Sequence, residues 1–291
     1  MYQLIDVTAV CGAESTLIIT PEKTALVDSG FAFCAKILIE NIEKALNGRN
    51  LDYILLTHSH YDHAGGSAIC RSHFKNAKIA ASEYAAKIFA KPSAKTVMRE
   101  MDQNAALVNG FTEPYEDKLD ELSADVILHE GDVVDLGSLK FKVLNAAGHT
   151  RCSIAYFDEA ARLMIGSETY GVPVSRDVVE PCYIVGYEMS MRALQTAAAC
   201  DPQTIIIPHV GVMDGEEKCR EYFKKAYYWA VKAKEDIIAG HRAGKTNEEL
   251  MQMLQDYFYI EEIKDRHPLK AFLLNASYTV PMILKECAGV E

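Results

Sequence analysis

The chain has 291 residues, 49% of them hydrophobic and 24% charged, with a net charge of −11; this is an ordinary soluble composition, long enough for one large domain or a domain with an appendage. The acidic balance, without a basic patch or stripe, argues against a nucleic-acid partner, and no uncharged apolar run reaches membrane-spanning length. Eight scattered cysteines with no CxxC pair read as reduced thiols rather than a disulfide scaffold, and Met1–Asp6 lacks the basic and apolar regions of a signal peptide, so a cytoplasmic protein is expected.

The first elements are short strands rich in β-formers, at Leu4–Val7, Ser15–Ile19 and Lys23–Asp28, separated by Gly or Pro. Ser29-Gly30 is a turn, and Ala32–Leu46 has helical spacing, with Ile37, Ile39, Ile42 and Leu46 on its apolar side and Gly48 as a stop. Leu51–Leu56 reads as a buried strand, and it runs into Thr57-His58-Ser59-His60-Tyr61-Asp62-His63-Ala64-Gly65-Gly66. Three of the nine histidines and a carboxylate fall within six residues there. On an extended segment His58 and His60 project to the same side. Asp62 and His63 are adjacent, cannot share one direction, and suit a second metal ion beside the first. Imidazole suits Zn, Fe, Cu or Ni, and the carboxylate adds a hard ligand; a purely structural zinc site would recruit Cys instead.

Further on, Lys78–Ala81 is a strand, and Ser82–Asn109 is Ala-rich and helical, interrupted at Pro92. Met98, Met101, Leu107 and Val108 on that stretch form either a lid face or plain packing, and packing is the simpler reading. A β run covers Asp125–Asn145, with turns at Glu130-Gly131-Asp132 and Leu136-Gly137-Ser138, and continues in Cys152–Phe157 and Arg162–Ile165. Met189–Ala199 is a helix and Thr204–Pro208 a strand. The character then changes: Glu216–Ile238 is a long helix ended by Gly240, Thr246 and Glu249 form a capping box opening a helix through Tyr257, and His267–Glu286 is a further helix. The expected division is a catalytic domain over residues 1–213 and a helical extension over 214–291.

Two more imidazoles stand at strand ends. His149 follows Phe141–Leu144, with Gly148 freeing the backbone to turn it inward, and His209 follows Ile205–Pro208. A carboxylate is needed to bridge two cations, and Glu168, after the strand ending at Ile165, is the candidate. His73, His129, His241 and His267 lack such settings and read as surface or packing residues.

The pattern His58-x-His60-x-Asp62-His63, then Gly148-His149, an acid after a Gly, and His209, resembles the metallo-β-lactamase fold superfamily over residues 1 to about 213. The resemblance implies an α/β fold, a four-layer αββα sandwich with a dinuclear site at one edge, extended here by C-terminal helices. It implies two divalent ions, zinc first and iron or manganese as alternatives, the first held by His58, His60 and His149, the second by Asp62, His63 and His209. It also assigns Asp28, in an early Asp-x-Gly turn, to support of the ligands. The family usually has Gly-Asp at the bridging position, whereas Gly166-Ser167-Glu168 stands here; either Glu168 bridges with its longer side chain, or no acid bridges and the second ion is weakly held.

The implied activity is hydrolysis, with hydroxide formed between the ions attacking a polarised carbonyl and Asp62 orienting it and shuttling a proton. The layout, a helical insertion after Glu83 and a helical tail, is similar to glyoxalase II, lactonase and quinolone-signal thioesterase members, which favours a small-molecule acyl thioester. Tyr170, and with it Tyr227, Tyr228, Phe272 and Tyr278, are candidates for an acyl pocket, though aromatic residues on helices more often belong to a core. Other readings are a lactonase, an iron-dependent persulfide dioxygenase or flavodiiron-like oxidoreductase (the latter disfavoured by His60), and a non-catalytic sensor. The amphipathic tail also offers a face for a homodimer.

Overall fold

Short apolar runs punctuated by Gly and Pro become strands, and the residues between them decide how the strands pair. In the computed structural model, which describes residues 1–264 and 267–290, β1 (Gln3–Asp6), β2 (Thr16–Ile19) and β3 (Thr24–Val27) form an antiparallel meander, Leu4 opposite Ile18 and Leu17 opposite Leu26. After α1 (Ala35–Leu46), β4 (Tyr53–Leu55) returns parallel to β3. Two short helices, α2 (Tyr61–Ala64) and α3 (Ser67–His73), lead to β5 (Lys78–Ser82), parallel to β4. Then α4 (Glu83–Phe89) and α5 (Pro92–Val108) precede β6 (Val126–Leu128), which pairs parallel with β5 and completes a six-stranded sheet in sequence order. The chain continues as a hairpin of β7 (Val133–Asp135) and β8 (Lys140–Asn145), and a second antiparallel pair, β9 (Ile154–Asp158) and β10 (Leu163–Ile165). Next come the small pair β11 (Val172–Pro173) and β12 (Val179–Glu180), then α6 (Tyr187–Ala199), and the hairpin β13 (Thr204–Ile207) and β14 (Gly211–Asp214). The last helices are α7 (Glu216–Arg242), α8 (Asn247–Phe258) and α9 (Leu269–Ala288).

The chain forms two compact units, one of Met1–Leu144 with Ile154–Ile165, the other of Asn145–Ser153 with the chain from Gly166 onward. In the first unit, Leu26, Ile54 and Ile79 in one sheet and Phe141, Val143, Tyr156 and Leu163 in the other are buried; β3, which pairs parallel with β4, is buried along its whole length, as expected for a strand covered on both faces. Each such side chain contributes roughly 1.5–3 kcal/mol of burial, against the chain entropy lost on folding. The Tyr156 hydroxyl donates to Leu56 O at 2.8 Å, and the Ile154 amide to Thr57 O at 2.9 Å. These two bonds fasten β9 to the stretch that leaves β4, where the histidine motif begins.

Several elements depart from the sequence reading. Helix α1 starts at Ala35 and buries Leu38 in place of Ile37, which is 37% exposed; the buried set 35, 38, 39, 42 and 46 keeps the i, i+3, i+4 rhythm. Pro92 begins α5 at its first position, with Lys91 as N-cap, because the amide it lacks is unneeded there. Helices α2 and α3 follow the first two histidines of the motif, where the sequence reading placed no element. Gly240 does not stop α7, which runs to Arg242; a Cβ there would come within 2.6 Å of Leu250 in α8, so the glycine lets two helices approach. The capping box at Thr246 and Glu249 forms as expected. No helix among the described residues is long and apolar enough to cross a membrane.

Candidate metal centre

In the first unit the strand ends bring one set of ligands together. His60 is extended (φ −66°, ψ 153°) and caps α2, so His58 and His60 lie on extended backbone while Asp62 and His63 occupy a helical turn. The His58 ring stands 4.6 Å from that of His60 and 4.1 Å from that of His63, centroid to centroid. Asp62 Oδ2 is 3.7 Å from His63 Nε2. Gly66 permits this packing: a Cβ there would lie 2.4 Å from Ser29 O, and the Gly66 amide donates to Gly30 O.

Asp28 organises the set. It is 2% exposed and holds φ at +50°, uncommon outside glycine. Its carboxylate accepts from the Thr57 amide (2.9 Å), the Thr57 hydroxyl (2.8 Å) and His63 Nδ1 (2.9 Å). With its proton on Asp28, the Thr57 oxygen accepts from His58 Nδ1 at 3.1 Å. Protons on both Nδ1 atoms leave the two Nε2 lone pairs for a metal. Thr57, an ordinary strand-end residue in sequence, is thus the relay through which one carboxylate sets two imidazoles.

The second unit carries the other set. Gly148 sits at φ +156°, and a Cβ there would come within 2.2 Å of Ser190 Oγ; its carbonyl accepts from the Ile184 and Val185 amides. His149 is 2% exposed, its amide donating to Thr169 Oγ1 and its Nδ1 to Cys182 O at 3.1 Å. Glu168 opens a single turn capped by Ser167. One of its oxygens is 2.9 Å from His149 Nε2 and the other 2.9 Å from His209 Nε2. Burial by itself raises the Glu168 carboxyl, but His149 and His209 outweigh it and hold the group well below the usual carboxylate range. His209 follows β13 with φ +62°, a strained non-glycine position like that of Asp28.

The donor chemistry fits a divalent metal. Neutral imidazoles with Nδ1 engaged by an acceptor, joined by carboxylates, are what Zn, Fe or Mn sites are made of. Within the first unit His58 with His60, and Asp62 with His63, have ligand atoms within 4.8 Å of one another, as do His149 and Glu168 within the second.

Other candidates lie elsewhere. Tyr170 is 2% exposed, packs on Phe223 at 6.2 Å, and its buried hydroxyl meets no hydrogen-bond partner among the described residues; as placed, it is core rather than pocket wall. Phe272 is buried as well, while Tyr227, Tyr228 and Tyr278 are exposed. Met98 is buried and Leu107 and Val108 exposed, so that stretch is not one face. His73 and His129 are exposed and face Glu43 and Asp132. His267 lies 3.7 Å from Glu180, a residue the sequence did not single out. Burial, then repulsion from Glu168, pushes the Glu180 carboxyl up to about 8; nothing in Val-Val-Glu-Pro marks it, because its setting is made by distant residues.

Residues 8–209 match the family model described as the metallo-beta-lactamase superfamily. A hydroxyacylglutathione hydrolase of Rhodopseudomonas palustris is 30% identical over 160 residues, 54% of this chain and 49% of that protein. A protein of the same name from Bradyrhizobium sp. is 26% identical over 123 residues, 42% of this chain and 35% of that protein. The chain thus spans about half the length, or less, of the curated relatives it matches. Among solved structures, a metallo-beta-lactamase family protein from Thermus thermophilus superposes with a TM-score of 0.68 at 20% identity, over all of this chain and 95% of its own. An archaeal superfamily protein from Sulfolobus tokodaii gives 0.58 at 20% identity, covering 76% of this chain and 85% of that one.

Proposed function

The chain belongs to the metallo-beta-lactamase superfamily, and on that premise we propose that it is a metal-dependent hydrolase of a small acyl thioester. As the family resemblance implies, the first ion would be held by His58, His60 and His149 and the second by Asp62, His63 and His209, with Glu168 as the shared acid and zinc as the first choice of metal. The observation that carries this reading is the Nδ1 anchoring of His58, His63 and His149 by Thr57, Asp28 and Cys182 O. Imidazoles fixed in this way point a basic Nε2 at a cation, and that costs free energy unless a cation comes. Glu168, reaching one imidazole with each oxygen, would supply the carboxylate beside His149 and His209 when metal is bound.

When bound, the ions polarise the substrate carbonyl and make a water molecule acidic enough to act near neutral pH. The side chain of Asp62 is 19% exposed and carries the proton work, taking a proton from the attacking water and returning it to the leaving group. Asp28, through Thr57 and His63, keeps the ligands in the tautomer that binds. The likeness to hydroxyacylglutathione hydrolases supports a thioester as the scissile group.

The test is elemental analysis of the purified protein, followed by a hydrolysis panel of thioesters, lactones and phosphodiesters and an oxygen-uptake assay with a persulfide. Two metals per chain and turnover of thioesters above all others are expected. Oxygen uptake or a lactone preference would overturn the thioester assignment, and a chain that takes up no metal would overturn the hydrolase reading altogether.

A further inference from the structure

Helix α5 carries a carboxylate that the proposed chemistry does not use. Asp102 is 1% exposed. Its Oδ1 accepts from the Ala32 amide at 2.8 Å and its Oδ2 from the Tyr115 hydroxyl at 2.6 Å. A buried carboxyl is costly unless hydrogen-bonded, and these partners, with the Phe33 amide, come from outside its own helix. It stands at the edge of an apolar cluster that contains Phe31, Phe33 and Cys34, with Tyr61, Phe111 and Tyr115 packed against it.

What Asp102 holds is one end of a short segment whose other end holds a ligand. Residues 28–33 run from Asp28, bound to His63 Nδ1, through Ser29, whose amide and hydroxyl both donate to His63 O (2.7 and 2.9 Å), to Gly30, whose carbonyl accepts from Gly66. Phe31 stacks on Phe33 at 4.9 Å and leans on Tyr61, between His60 and Asp62, at 5.6 Å. The segment begins at the αL conformation of Asp28. Such a conformation is unfavourable outside glycine and persists only where the surroundings over-determine it. The Ala32–Asp102 bond ties the far end of this segment to α5.

We propose that Asp102 is a positioning residue for metal binding. By pinning Ala32 it holds the 28–33 segment in the conformation that orients Asp28 and His63, and so it strengthens the ion held by His63 more than one held by His58, which Asp28 reaches only through Thr57. This rests on the metal-dependent reading above. A residue of merely structural importance would lower the stability of the fold when lost and leave the two metal affinities in their wild-type ratio.

The test is stepwise cobalt(II) and zinc titration of the whole chain, with the two steps resolved by visible absorption of cobalt, for the wild type, Asp102→Ala and Asp102→Asn. Loss of a supporting partner weakens metal binding by roughly 10–100-fold. Asp102→Ala should weaken the step of the His63 ion by about tenfold or more and the other, reached from Asp28 only through Thr57, by clearly less. Asp102→Asn still offers an oxygen to the Ala32 amide and should restore the weakened step. If Asp102→Ala does not fold, the wild type alone decides by reciprocity: metal must slow hydrogen exchange at the Ala32 and Phe33 amides by the factor that these contacts strengthen metal. Equal weakening of both steps, no weakening in a folded Asp102→Ala, or exchange at Ala32 indifferent to zinc would overturn the proposal while the hydrolase reading stands. A wild type that binds neither metal would overturn both.

Discussion

Asp28→Asn is the sharpest probe of how the ligands are prepared. Asparagine has the same size and tolerates the φ of +50° found at this position, so the backbone can stay. Three donors converge on the carboxylate: the Thr57 amide, the Thr57 hydroxyl and His63 Nδ1, at 2.8–2.9 Å. The amide oxygen of Asn can keep the first, but its NH2 group then faces the other two as a donor. His63 must shift its proton to Nε2 to accept at Nδ1. Thr57 must turn its hydroxyl away, toward His58 Nδ1, which drives the His58 proton to Nε2 as well. Both imidazoles then present N–H where a metal needs a lone pair. One lost supporting contact typically costs about 10–100-fold in metal affinity, and with two ligands inverted at once the upper end, ~100-fold or about 2.7 kcal/mol, is expected. Competition titration with zinc against a chromophoric chelator at neutral pH measures it, with circular dichroism confirming that the variant is folded. A folded Asp28→Asn whose zinc affinity stays within about threefold of wild type, far short of the 10–100-fold of a working support, would refute the tautomer argument.

Asp62→Ala should lower kcat by about 10²–10⁴-fold, the range for a positioned acid–base group, and keep the wild-type unfolding temperature; unchanged turnover would remove Asp62 from the proton path. Gly148→Ala forces a Cβ to within 2.2 Å of Ser190 Oγ at a φ of +156°. It should cost about 2–4 kcal/mol in chemical denaturation, and a loss below about 0.5 kcal/mol, an ordinary surface value, would contradict the crowding. Glu180, raised to about 8 by burial and Glu168, deprotonates in the unfolded chain long before it does in the folded one. Stability should therefore fall as pH rises from the ordinary glutamate range toward 8. Glu180→Gln should flatten that slope, and parallel pH profiles would rule the shift out. Chelator treatment should lower stability by about 2.7 kcal/mol relative to protein at a hundredfold excess of metal over its dissociation constant. For a chain of this size that is a fall of roughly 5–10 °C by calorimetry, and no shift would mean that metal does not bind the folded state.

The candidate metal ligands were legible because metal ligation is written in residue type and short spacing. Three histidines and an aspartate in His58–His63 and each strand-end imidazole could be named from local pattern, and Asp28 from the family resemblance. The strands of the meander were equally legible, since β-formers between Gly and Pro have few alternatives. What the pattern left undecided depended on partners far along the chain. The turn of helix at Tyr61–Ala64 places Asp62 and His63 off the extended run of His58 and His60, and four residues carry too little periodicity to announce it. Gly240 has the look of a helix stop until Leu250 packs over it. Tyr170 and Glu180 are ordinary in sequence, and only burial makes one a core ring and the other a carboxyl raised to about 8. Asp102 resembles any helix-surface aspartate until the fold brings the Ala32 amide, 70 residues away, to its carboxylate. Side-chain identity and spacing are local properties of the chain, whereas burial, tautomer and shifted acidity arise from groups that meet only when the chain has folded.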